Sequence, residues 1–287
     1  MIQNSLAGAL HAASKQIPLV LSFAVAGLFS PLNAAAQEVN LGTANPFAVL
    51  AGSAITVAGA VNTTTINGNI GSYPTPTVTG LGNVVLNGVN ETGDAGLMLN
   101  AKNDLITAYN TAAGLARTAT LTGTDLGSLT LTPGVYFFAS SAQLTGQLTL
   151  NDLGNPDAVF VFQIGSTLTT ASASSVVTIN DPSPTTAGMS VFWQVTSSAT
   201  LGTGTDFEGN VLALTSITDN GGSTVDGRLL AQNGAVSLDD TTINILPAEV
   251  GSAGVPDSGS TLLTLGASCA ALFAFGRRFS LFDGMPA

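Results

Sequence analysis

Charge is scarce in this chain. Of its 287 residues only 8% are charged, and 6 Lys and Arg face 17 Asp and Glu, for a formal net charge of −11. Phosphate recognition needs clustered cations, which argues against nucleic acid as a partner. Between the two terminal segments the only basic residues are Lys102, Arg117 and Arg228. Histidine occurs once, at His11, and cysteine once, at Cys269. A single cysteine forms no intrachain disulfide, so stability has to come from packing, and Cys269 itself reads as a packing residue inside an apolar run. Aromatics are few, and the one tryptophan, Trp193, sits with Phe192 in a strand-like apolar run. Both read as core rather than as a sugar-stacking platform.

Glycine is abundant, with 33 residues, and Thr, Ser and Asn take the place that Lys and Glu hold on most surfaces. The chain is organised around residues 159–179, VFVFQIGSTLTTASASSVVTI. These divide into three short runs. VFVFQI is apolar at nearly every position and needs cover on both sides; STLTT and SVVTI alternate and have one wet face each. The same pattern recurs as VYFFAS–AQLTG–QLTL, VFWQVT–ATLGT–DFEGNV, VLALTS–ITDNG–STVDG and LLAQNG–AVSL–TTINI. A strand-rich repeat of roughly 18 to 24 residues marks a solenoid whose coils bury their cores only by stacking. Residues 41–87 read as further coils of this kind.

From residue 94 the period changes. Leu97, Ala101, Leu105, Ala108, Ala112 and Leu115 fall at steps of four and three, one helical stripe, with Asp94 as N-cap and Gly114 as the stop. A helix over 94–114 spans about 30 Å, enough to lie along about six coils at about 4.8 Å per rung. It is the expected cover for the doubly apolar VFVF face.

Both ends read as targeting segments. Lys15, the apolar run 17–29 and the small residues around Ala36 predict a leader, residues 1–36, cleaved after Ala36. The solenoid domain then covers 37–247 and a linker 248–254. At the other end Val255, Pro256, Asp257, Ser258 and Gly259 precede an apolar run, 262–275, closed by Arg277 and Arg278. At about fourteen residues this run falls short of a comfortable membrane span. The motif, apolar segment and basic stop are similar to the tripartite sorting tails read by bacterial exosortases. The resemblance implies an exported protein, met by a sorting enzyme through residues 255–287. The trailing stretch 279–287 is longer than such tails usually have.

Catalysis or metal binding would fall to the acids. Asp219, Asp226, Asp239 and Asp240 have one nearby cation, Arg228, and Asp or Asn beside Gly is more often a turn former. Asp219-Asn220-Gly221-Gly222 could suggest a calcium turn, but the chain lacks the repeated glycine-aspartate nonapeptide of β-rolls. No enzyme activity, cofactor or metal is expected. The second strand of each coil is more informative, because it sets small hydroxyl side chains around an inward Leu or Val. Its expected outward residues are Thr56, Thr77, Thr79, Gln143, Thr145, Thr167, Thr169, Thr200, Thr218 and Ser237. Alternate residues in a strand lie about 6.7 Å apart and rungs repeat at about 4.8 Å, which makes this a grid of methyls and hydroxyls. Gln143 and Gly202 interrupt it. Thr178, in a third strand, is expected on the other wet face.

The runs LGTANPFAVLAGSAIT, LTLTPGVYFFASSAQLTG, NPDAVFVFQIGSTLTTASASSVVTIN and VFWQVTSSATLGTGTDFEGNVLALTSIT resemble the microbial ice-binding protein family. The resemblance covers about 41–245 with its elements in order. It implies a mostly β fold: a discontinuous right-handed β-solenoid, triangular in section, with one long α-helix packed alongside and coils stacked out of sequence order. Many members carry a cap before the helix; here 81–93 leaves room for a minimal one. It also implies a monomer whose partner is an ice crystal surface, met by the threonine grid. The alternative reading of the same residues is a surface adhesin or matrix protein with the solenoid as spacer or glycan-binding face.

Overall fold

The computed structural model describes residues 39–182 and 190–245. The expected leader, linker and sorting tail lie outside the described residues.

Every repeat of the sequence is one coil of a parallel β-solenoid, and each coil contributes a strand to each of three faces. The first face stacks Gly134–Phe138, Phe160–Ile164 and Val191–Val195, then the second halves of Asp206–Ala213 and Thr224–Ala231, then Phe47–Ala51 and Asn69–Ser72. The second is a 7-stranded sheet running Ala142–Leu144, Leu168–Thr170, Ala199–Leu201, Ile217–Asp219, Val236–Asp239, Ile55–Ala58, Val78–Thr79. The third begins at Thr130–Leu131, Gln147–Asn151 and Ser175–Ile179. It continues through the first halves of the two long strands to Thr242–Asn244, Thr64–Asn67 and Val84–Leu86. The two long strands turn the corner without a loop. Their paired Gly209 and Gly227 take φ of 119° and 154°, a region other residues avoid.

The stacking order departs from the chain order as the family resemblance implied. The coil that begins at Phe47 lies directly on the last coil: Val49 pairs with Leu229, Thr56 with Ser237 and Thr65 with Thr242. The seam therefore falls inside the stack, where Ile245 leaves beside Gly68 and Ala48. The second break, between Leu86 at one end of the solenoid and Ala119 at the other, is bridged by the helix α1, Ala95–Gly114. Its 20 residues rise about 30 Å, and that length is what returning along the stack demands.

Alternation decides which side each first-face residue buries. Phe160, Phe162 and Ile164 point into the solenoid, where Tyr136, Phe162, Trp193 and Phe207 stack with centroid separations of 5.6, 3.9 and 5.1 Å. Trp193 and Phe192 are core, as expected. Val161, Phe192, Leu212, Leu230 and Leu50 point the other way. They meet Met98, Ala101, Leu105, Ala108, Tyr109 and Ala112 of the helix in a second apolar cluster. Both sides of the VFVF class are thus covered, and each fully buried Leu or Phe contributes about 1.5–3 kcal/mol.

Three local expectations are corrected. Asp94 caps the helix as read, accepting from the N–H groups of Gly96 and Leu97. Gly114, however, is the last helical residue and no left-handed stop. The chain turns extended at Leu115, and the amide of Gln163 donates to the carbonyls of Ala112, Ala113 and Leu115. Gly202 does not interrupt a flat grid: it sits in a corner where a Cβ would meet the backbone of Thr170 and Ala171 at 2.6 Å. Thr178 is only half-exposed, not on the open wet face expected. It lies beside the inward Leu150 in register, and its hydroxyl donates to Glu208 at 2.5 Å.

Candidate functional site

The second sheet brings the expected residues into line. Gln143 pairs with Thr169, Thr169 with Thr200, Thr200 with Thr218, Thr218 with Ser237, Ser237 with Thr56 and Thr56 with Thr79. The residues on either side of this rank, such as Leu168, Ala199, Ile217, Val236 and Ile55, are buried in the core. That fixes the rank outward. An isolated bridge from Asp125 to Gln143 extends it to the end coil.

The hydroxyls of Thr56, Thr169, Thr200, Thr218 and Ser237 make no hydrogen bond to another described residue. That of Thr79 reaches only the carbonyl of Ile55, at 3.5 Å. The neighbouring rank, two residues earlier, differs in this respect. It holds Ser141, Thr167, Ser198, Ser216, Ala235, Ala54 and Thr77. The Thr167 hydroxyl donates to Ser141 at 2.9 Å, and Ser198 Oγ accepts from the Ser216 N–H at 3.3 Å. Thr77 and Thr167 thus belong to this second rank, and Thr145 to the margin on the opposite side. Ser141, Ser198, Ser216, Ala235 and Ala54 were not singled out in the sequence, although each stands two residues before a site residue already named.

The third face has a different chemistry. Thr224, Thr242 and Thr65 align on it, but between Asp206 and Val85. The next rank is a ladder of side-chain amides. Asn87 donates to Asn67, Asn67 to Asn244 and Asn244 to Asp226, at 2.7, 2.7 and 2.8 Å. Glu208 continues that rank beside Asp226, its carboxyl held above the usual range by burial. This face therefore carries charge and polar groups already committed to one another.

Two of the candidate acids have structural partners, Asp226 in the amide ladder and Asp219 at a corner. Asp219 faces inward and accepts from the Gly221 N–H, Ser223 and Thr241 at 2.8, 2.9 and 2.9 Å, bracing a corner; burial raises its pKa against those bonds. Arg228 is buried and donates to Asn45 and Asn210, its pKa lowered to about 10 by burial. Lys102, unremarked in the sequence beyond its charge, is buried under the helix. Its ammonium donates to the carbonyls of Ala231 and Gln232, and burial lowers it to about 8.

Residues 49–244 match the family model described as Ice-binding-like. The chain belongs to this family. Among its relatives is an ice-binding protein of Nostoc sp. (strain HG1), 48% identical over 93% of this chain and 97% of that protein. Another, from Colwellia sp., is 37% identical over 79% of this chain and 91% of the relative. The crystal structure of an ice binding protein from an Antarctic biological consortium superposes with a TM-score of 0.66 at 41% identity, covering 72% of this chain and 90% of that one. The family's mostly β architecture with parallel sheets and one helix is the one described above.

Proposed function

We propose that this protein binds ice, and that the second sheet is the surface it uses. One observation carries the assignment of the face: a straight, in-register rank from Thr169 through Thr200, Thr218 and Ser237 to Thr56, whose hydroxyls are uncommitted. Rungs about 4.8 Å apart and alternate residues about 6.7 Å apart set methyls and hydroxyls at lattice-like intervals. The methyls disfavour disordered hydration, and the hydroxyls anchor the waters between them. Threonine is stiff at χ1, so the grid holds still while water orders on it. A layer ordered in this way merges with a growing crystal, which lowers the freezing point or blocks recrystallisation. The relatives named above are ice-binding proteins, and the third face, with its charges and closed amide ladder, offers ice a poorer match.

The test is partition of residues 37–254 into a slowly growing ice crystal, with an unrelated acidic protein as control. Enrichment in the ice supports the reading; exclusion together with binding to a glycan array would move the protein to the adhesin class. Export after cleavage near Ala36, action as a monomer, and handling by a sorting enzyme through Val255–Pro256–Asp257–Ser258–Gly259 belong to the same proposal. Deleting 255–287 should move the protein from the envelope to the medium with its ice activity unchanged. Full-length protein retained in the cytoplasm would sink both terminal readings.

A further inference from the structure

The amide ladder of the third face ends at an exposed corner. It runs Asn87, Asn67, Asn244, Asp226, and each amide donates toward Asp226, at 2.7, 2.7 and 2.8 Å. A carboxylate only accepts, so it sets the direction of every amide before it. Asn87 stands at the far end, on the last coil of the stack, and both it and Gly88 are exposed. Asparagine precedes glycine at four places in the described residues, Asn67, Asn87, Asn220 and Asn233, and their surroundings differ. The Gly221 N–H donates to Asp219 and the Gly234 N–H to the Thr215 carbonyl, both at 2.8 Å. Gly68 is buried, and the Asn67 side chain is held from both sides by Asn87 and Asn244. Of the four, only the Gly88 N–H combines exposure with the absence of a partner among the described residues. Nor is there room for a bulkier, shielding residue: a Cβ on Gly88 would lie 2.1 Å from the carbonyl oxygen of Gly68.

We propose that Asn87–Gly88 is a self-modification site, at which the carboxamide becomes aspartate or isoaspartate with water as the only co-reactant. The Gly88 nitrogen loses its proton and bonds to Cγ of Asn87. The bond from Cγ to Nδ2 breaks, and ammonia leaves with that proton. Water then opens the resulting cyclic imide at one carbonyl or the other, leaving a carboxyl in place of the amide. Nothing is oxidised or reduced. A hydrogen-bonded glycine N–H has to give up its bond before the nitrogen can attack, which slows the same step at Gly221 and Gly234. The product is at odds with the ladder. With acceptors at both ends, Asp226 and the new carboxylate, the two amides between them cannot pair every donor with an acceptor. One oxygen faces another whichever way Asn67 and Asn244 are flipped, and only a proton on one carboxyl relieves it. Modification therefore loosens the last coil at neutral pH. The site shares no residue with the rank of the second sheet, and it stands whether or not that sheet binds ice.

The experiment incubates the full chain for weeks at pH 8.5, below its melting temperature, and maps aspartate and isoaspartate at all four sites by mass spectrometry. Product is expected first at Asn87, at about ten times the rate of Asn220 and Asn233, the factor that one hydrogen bond confers. A chain unfolded in urea should lose that ranking. Product at Asn67, Asn220 or Asn233 as early as at Asn87 overturns the site, and so does a folded chain that stays intact while the unfolded one is modified. A ranking that persists in urea would be set by sequence rather than by the fold, and equally overturns it. Asn87→Asp, which mimics the product, tests the ladder. Its thermal midpoint should lie about 2–5 °C below that of the unmodified chain at pH 7.5. A carboxyl trapped against another acceptor has its pKa raised in the folded state, so this deficit should shrink as pH falls to 4.5. Asn87→Leu removes the end amide without adding charge, and its deficit should not change with pH. A deficit in Asn87→Asp that is absent, or as indifferent to pH as that of Asn87→Leu, overturns the ladder argument.

Discussion

Thr200 stands near the middle of the rank that the second sheet presents, between Thr169 and Thr218, and its value to a crystal is flatness. Many weak, register-dependent contacts add up on such a face, so a protrusion does more harm than a deletion. Thr200→Tyr or Thr169→Tyr should remove most thermal hysteresis while stability changes by about 0.5 kcal/mol or less, as for other surface substitutions. Thr169→Ser should be mild. The matching control is Thr242→Tyr on the third face; Thr178, half-buried and bonded to Glu208, is unsuited to that use. Equal losses at Thr242 and Thr200 would move the site off the second sheet. A second residue-level expectation concerns acid. Burial first, and Asp181 second, push Asp152 up to about 6, against about 3.9 in an unfolded chain. Between those values the folded chain keeps a proton that the unfolded chain gives up, so stability falls as pH rises from about 4 to about 6. Glu208 and Asp219, both raised by burial, act in the same direction. The thermal midpoint should be higher at pH 4.5 than at pH 7.5, with the difference reduced in Asp152→Asn. A midpoint that climbs steadily across that range would contradict it.

At the scale of elements, the helix and the first face decide each other. Leu105 is fully buried among the outward first-face side chains, and Leu105→Asp would leave a carboxylate there without a partner, at a cost of several kcal/mol. A thermal melt unchanged by that substitution would remove the helix as the cover of this face. Gln163→Leu should cost about 1–3 kcal/mol, because three carbonyls at the helix end lose their donor. The helix was legible because a 3.6-residue stripe from Leu97 to Leu115 interrupts a background of period two. The strands were legible for the converse reason. The phase within each strand was only partly legible. Thr169 and Thr200 flank inward leucines and could be placed outward from the alternation alone. Thr178 could not, because SVVTI has small and branched residues on both sides and its facing depends on pairing with Leu150. The roles of Gln163 and Lys102 depend on which backbone carbonyls lie 48–130 positions away in the chain. No local pattern encodes that, and the register of the second sheet was hidden for the same reason.

The described residues form a continuous stack written in a discontinuous order. Its last coil ends at Ile245, beside the coil that begins at Phe47, and the long helix exists to carry the chain from one end of the stack to the other. The order of the chain is therefore separable from the order of the coils. A permuted protein running 94–245, a flexible linker, then 39–93 would start with the helix and lay down every coil in spatial sequence. Residues 39–46 cannot carry Val39 farther than about 28 Å from Phe47 at full extension, so a Gly/Ser linker of about ten residues reaches. No described strand pairing is broken by this rearrangement. The chain 39–245 and its permutant should melt within a few degrees of each other and show the same thermal hysteresis. Contacts between the coil at Phe47 and the coil at Leu229, remote in the natural chain, become local in the permutant, so refolding should be faster. Stopped-flow refolding measured side by side decides the matter. A permutant that folds more slowly, or melts far below the natural order, would mean that the early coils at residues 47–86 nucleate the stack and that the seam is more than a consequence of where the helix returns.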